Sequence, residues 1–72
     1  MNENKILEEI KEVLQTQKTI SSETELLSLY EWDSLSIMGV MALLKTNYNK
    51  EVSFSEIKAC QLVKDIYKLV EK

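Results

Sequence analysis

The chain has no proline, no histidine, a single glycine and a single cysteine. Tight hairpins and extended linkers depend on the turn residues that are scarce here, so a β-rich fold is excluded and an all-α fold is expected. The lone Cys60 has no partner for an internal disulfide. With no histidine beside it, a structural zinc site has no ligand set to draw on. No apolar run reaches the length that spans a bilayer, and the N-terminus has no long apolar segment. The expectation is a soluble, cytoplasmic protein with no membrane partner. At 72 residues the chain, 1–72, is expected to be one domain with a modest core. A hydrophobic content of 44% and a charged content of 29% place it with globular rather than disordered sequences.

The net charge of −3 is unevenly spread. Residues 19–44 hold four acids, Glu23, Glu25, Glu31 and Asp33, and no lysine; the rest of the chain holds nine lysines and eight acids. A nucleic-acid backbone would be repelled from this segment. Partners with basic surfaces would be drawn to it, mainly through faster encounter. A solvated acidic loop without a partner is the plainer explanation of the same charge.

Helical periodicity begins at about residue 3 and runs to 16. Ile6, Leu7, Ile10, Val13 and Leu14 form one stripe, and Glu8, Glu9, Lys11 and Glu12 take the other face. Asn2 and Asn4 are both candidates for its cap. Residues 17–33 then make a long polar connection with apolar residues scattered through it. Connections of this length are functional or packed down by their own side chains. Leu26 and Leu29, three apart, suggest a short helical turn. Tyr30 and Trp32 are expected to pin the loop to the bundle, although an exposed Trp32 would serve a partner instead.

A second helix is expected over Ser34 to about Tyr48. Leu35, Met38, Met41, Leu44 and Tyr48 form its stripe, widened by Val40, Ala42 and Leu43. A helix apolar around so much of its circumference is central to the fold or presents a binding face. Gly39 lies mid-helix, where it costs about 1 kcal/mol relative to alanine. It permits a close approach by a neighbouring helix, a partner or a ligand, or it is a tolerated defect. Met38 and Met41 are adaptable enough to line a pocket around apolar cargo, with core filling the expected role. Asn47, Asn49 and Lys50 end this helix. Ser53 and Glu56 have capping-box spacing and open a short helix over about 54–59, with Phe54 and Ile57 inward. A last helix over about 61–71 buries Leu62, Val63, Ile66, Leu69 and Val70 and leaves Lys64, Lys68 and Lys72 wet. Cys60 between them reads as a small buried hydrophobe, since a reactive thiol would want an electropositive site.

The junction Glu31-Trp32-Asp33-Ser34-Leu35 separates the polar loop from the apolar second helix. Aspartate and serine just before such a run supply side-chain acceptors for free first-turn N–H groups. Ser34 should therefore sit exposed at the helix mouth, where those N–H groups and the helix dipole favour a phosphate.

In this order of elements, with Asp33-Ser34-Leu35 heading the central helix, the chain resembles an acyl carrier protein over essentially its whole length. Glu31-Trp32 resembles a version found in stand-alone carriers of specialised pathways. Thr24-Glu25-Leu26 resembles the family's loop entry, Tyr48 stands where the family often has Phe, and Val63-Lys64-Asp65-Ile66 resembles the opening of its last helix. The resemblance implies a four-helix bundle of three main helices and one short one, with a long loop between the first two. It implies 4′-phosphopantetheine carried covalently on Ser34, with Asp33 and Leu35 beside it in the recognition motif and no enzymatic activity of the chain's own. The arm's thiol would hold an acyl or aminoacyl group as a thioester. The implied partners are a phosphopantetheinyl transferase, which uses coenzyme A and a divalent metal, and acyl-transferring enzymes that meet a carrier working as a monomer. Two departures stand out. The outer face of the second helix carries Ser36, Gly39, Lys45, Thr46 and Asn47 and none of the acids usual in fatty-acid-synthesis carriers, so the loop acids would have to steer docking. Leu62 also replaces the usual Thr, which leaves the last helix without an evident cap. The competing reading is a small helical adapter that binds a partner through the apolar face of the second helix and never carries an arm.

Overall fold

The computed structural model describes residues 2–71, so Lys72, expected on the wet face of the last helix, lies outside the described residues. It contains four α-helices: α1 (Glu3–Leu14), α2 (Ser34–Tyr48), α3 (Phe54–Lys58) and α4 (Val63–Glu71). A single 3₁₀ turn, Leu26–Ser28, interrupts the α1–α2 loop, as the Leu26/Leu29 spacing suggests. Helix α2 packs against both α1 and α3, and α1 also meets α4.

Each helix starts and stops for a local reason. Asn2, rather than Asn4, caps α1, with its side chain accepting from the Lys5 N–H at 3.1 Å. The helix ends at Leu14, two residues before its expected limit. Gln15 turns left-handed (φ 54°), and its N–H bonds back to the carbonyls of Lys11 and Glu12. Asn49 makes the same left-handed exit from α2 (φ 55°), a conformation asparagine tolerates better than most residues. The Ser53/Glu56 capping box is formed in both directions at α3. The cap of α4 comes from within the helix: Asp65 Oδ2 accepts from the N–H groups of Gln61 (3.0 Å) and Leu62 (2.9 Å).

The fully buried core is Ile6, Ile10, Leu26, Val40, Leu44, Ile57, Val63 and Ile66. The stripes of α1 and α4 are largely as expected, with Tyr67 an additional buried member of α4 and Leu62 and Leu69 half-buried. The stripe of α2 differs. Its inward residues are Ser36, Ile37, Val40 and Leu44, while Leu35 is 76% exposed and Met38 53% exposed. Apolar residues surround this helix, so periodicity cannot select which face turns inward. The two helices flanking it do.

The long loop is fastened mainly by its backbone. Leu26 N–H bonds to the Gln61 carbonyl (2.8 Å), Val63 N–H to Thr24 (3.1 Å) and Lys64 N–H to Ser22 (2.9 Å), which pairs the loop with the α3–α4 junction. Ile20, Leu26 and Leu29 are buried beneath it. Of the two expected aromatic pins, Trp32 packs half-buried against the core, but Tyr30 is 92% exposed. The aliphatic side chains and the backbone pairing already hold the loop, so no tyrosine is required. Cys60 is buried as expected, and desolvation pushes its thiol up to about 11, which keeps it protonated and unreactive near neutral pH.

Candidate functional site

Loop and helix meet at Asp33, whose extended backbone makes it the N-cap of α2. Its Oδ1 accepts the Ser36 N–H at 2.9 Å, and its carbonyl takes the Ile37 N–H at 2.9 Å. The Ser36 N–H is the main reason that the Asp33 carboxyl lies below its ordinary value, so it is ionised at neutral pH. The Ser36 hydroxyl turns the other way and donates to the Glu31 carbonyl, tying the end of the loop across the first turn. That bond buries Ser36, which therefore does not lie on the outer face of α2.

Ser34 occupies the first position of α2 and is exposed. Its hydroxyl makes no hydrogen bond among the described residues, and helix geometry leaves the first-turn N–H groups of Ser34 and Leu35 without intrahelical partners. Asp33, Ser34 and Leu35, the three residues singled out in the sequence, thus stand consecutively and exposed at one corner of the bundle. Leu27, Tyr30, Leu35 and Met38, the exposed large hydrophobics of the described residues, all fall within residues 27–38. They form an apolar collar in chain order on both sides of Ser34. The sequence does contain these residues, but nothing in their spacing distinguishes them from core.

Two clefts flank α2. On the α3 side, Met38, Met41, Ala42, Lys45, Glu51 and Val52 line one of about 470 Å³. Met38 accordingly lines a cleft instead of filling the core. On the α1 side a second, of about 530 Å³, has Asp33, Leu35 and Gly39 on one wall and Val13 and Gln15 on the other. Gly39 resolves into a close approach by a neighbouring helix: a Cβ placed on it would come within 2.7 Å of Val13 Cγ1. Among the loop acids, Glu23 is engaged by Lys64 (3.0 Å) and Glu31 is half-buried, so Glu25 and Asp33 are the exposed acids without such a neighbour.

A family model describing the phosphopantetheine attachment site matches residues 4–70. The chain belongs to that family. No curated protein and no solved structure matches the chain. Membership makes it a carrier for covalent 4′-phosphopantetheine, a class of domain that is not itself catalytic. The all-helical bundle accords with this, and no helix among the described residues is long and apolar enough to cross a membrane.

Proposed function

We propose that Ser34 is the attachment residue of the carrier and that the chain shuttles an acyl or aminoacyl group between partner enzymes. The observation that supports this most is the unbonded, exposed hydroxyl at the first position of α2, with first-turn N–H groups beside it. The corner fits a phosphodiester: the helix terminus offers N–H groups and positive dipole to an anion, and no side chain has to move to free the oxygen. In the attachment step the Ser34 Oγ gains a bond to the phosphorus of coenzyme A and gives up its proton. The bond to the adenosine bisphosphate portion breaks, and that portion leaves. When bound, the group supplies a thiol that holds cargo as an activated thioester. The chain's own residues do the rest. Asp33 fixes the helix start, Leu35 and Met38 offer apolar contact to a docking enzyme, and the tether replaces diffusion with a high local concentration.

The docking partner inferred for the collar is an acyl-transferring enzyme with an apolar depression rimmed by lysine or arginine. Charge complementarity with Glu25 and Asp33 favours it, as does the lack of any acid on the outer face of α2. The cleft at Met38 and Met41 suits an apolar cargo better than a charged one.

Intact-mass measurement after incubation with coenzyme A and a broad-specificity transferase tests the reading. Wild type should gain the mass of the arm and Ser34→Ala should not. An unchanged wild-type mass, or a gain that survives Ser34→Ala, overturns it. The exposed collar also favours the adapter reading. A stoichiometric partner whose affinity ignores both Ser34→Ala and the arm would establish that alternative.

A further inference from the structure

Glu31 Oε1 is buried and has no hydrogen-bond partner, and no other side-chain polar atom is in that position among the described residues. A buried acceptor left unpaired costs about 1–3 kcal/mol, more when charged, so such an atom asks for a donor. Glu31 lines the α1–α2 crevice, and the neighbouring side chains supply almost no donor. Val13, Leu35 and Gly39 have none, and Asp33 is ionised. The Ser36 hydroxyl is already spent on the carbonyl of Glu31 itself. Gln15 is the remaining neutral donor on the crevice wall, and it is exposed, with no hydrogen bond to Glu31.

The crevice wall includes Asp33 and Leu35, the two chain neighbours of Ser34. Resting on the assignment of Ser34 above, we propose that this crevice is a resting site for the polar stretch of the phosphopantetheine arm, with Glu31 Oε1 accepting from one of its amide N–H or hydroxyl groups. The chemistry matches on both counts. The arm carries hydrogen-bond donors and an apolar dimethyl segment; the crevice carries one unpaired acceptor among Val13, Leu35 and Gly39. Tethering at the adjacent residue makes even a weak latch well populated, because the second contact is intramolecular. The opposite cleft at Met38 and Met41, which has no such acceptor, is left to the cargo.

The test uses the full chain carrying an isotope-labelled arm, with the mass gain read first. In wild type, at least one donor proton of the arm should exchange with solvent about tenfold more slowly than in free phosphopantetheine, and the dimethyl protons should show NOEs to Val13 and Gly39. Glu31→Leu should abolish the slowing, and Glu31→Gln, which keeps an acceptor oxygen, should retain part of it. Gln15→Leu should leave it intact. Without the arm, Glu31→Leu should fold at least as stably as wild type, since it removes an unpaired buried acceptor; that measurement separates loss of the latch from loss of the fold. A loaded protein whose arm exchanges at the free rate overturns the proposal while leaving Ser34 as the carrier residue. So does slowing that survives Glu31→Leu. Failure to gain mass removes the attachment reading, and this inference falls with it.

Discussion

The two ends of α2 are built for different purposes. At its C-terminal end the helix is bolted to α1: Asn47 Nδ2 donates to Glu9 at 2.6 Å, the Tyr48 hydroxyl donates to the same carboxylate, and Leu44 is fully buried beneath them. At its N-terminal end the helix is held by its own loop, through Asp33 and the Ser36–Glu31 bond, while Ser34, Leu35 and Met38 face solvent. The stability of the bundle is thus concentrated away from the corner that has to meet other proteins. A carrier needs a fixed anchor point and an accessible surface on the same rod, and this division supplies both.

Substitutions along α2 should break or sharpen the contrast. The largest effect is expected at the bolted end, where Leu44→Ala should cost about 3 kcal/mol through lost burial and the cavity left behind, read by urea denaturation. In a domain this small that is a large share of the total. At the midpoint, Gly39→Ala should lose about 1 kcal/mol net, because the new Cβ overlaps Val13 by more than the gain in helix propensity returns. In a Val13→Ala background the same change should become stabilising, and a double-mutant cycle measures that reversal.

Tyr48→Phe should cost about 1 kcal/mol for the lost bond to Glu9. The phenol is pushed up to about 12 by desolvation and by Glu9, above its ordinary value of 10.0. It therefore stabilises the fold fully below pH 10, and its contribution should fade as the pH rises from 10 towards 12 in wild type but not in Tyr48→Phe. The opposite sign applies to Asp33 and Asp65, both held below their ordinary value of 3.8 by backbone N–H donors. Their stabilisation is complete above 3.8 and is lost as the pH falls through the lowered folded values, so thermal melting from pH 5 to pH 2 should flatten in the double variant Asp33→Asn/Asp65→Asn. The smallest effects on stability belong to the open end. Leu35→Ala and Met38→Ala should each stay within about 0.5 kcal/mol of wild type while weakening association with an acyl-transferring enzyme, measured by titration calorimetry.

Much of this was legible without coordinates, because local chemistry set it. The order of four helices, the limits of α2 from Ser34 to Tyr48, the capping box at Ser53 and the exposed Ser34 all follow from side chains acting on backbone groups a few residues away. The sequence by itself therefore determined where each helix begins and which hydroxyl is offered at the mouth of the central one. Tertiary structure alone decided which face of α2 turns inward, because a helix apolar on every side carries no phase until α1 and α3 close on it. It also decided that Tyr30 stays in solvent, that the loop pairs with residues 61–64, and that Glu31 ends unpaired in a crevice. Those outcomes rest on contacts between segments far apart in the chain, which no local pattern encodes.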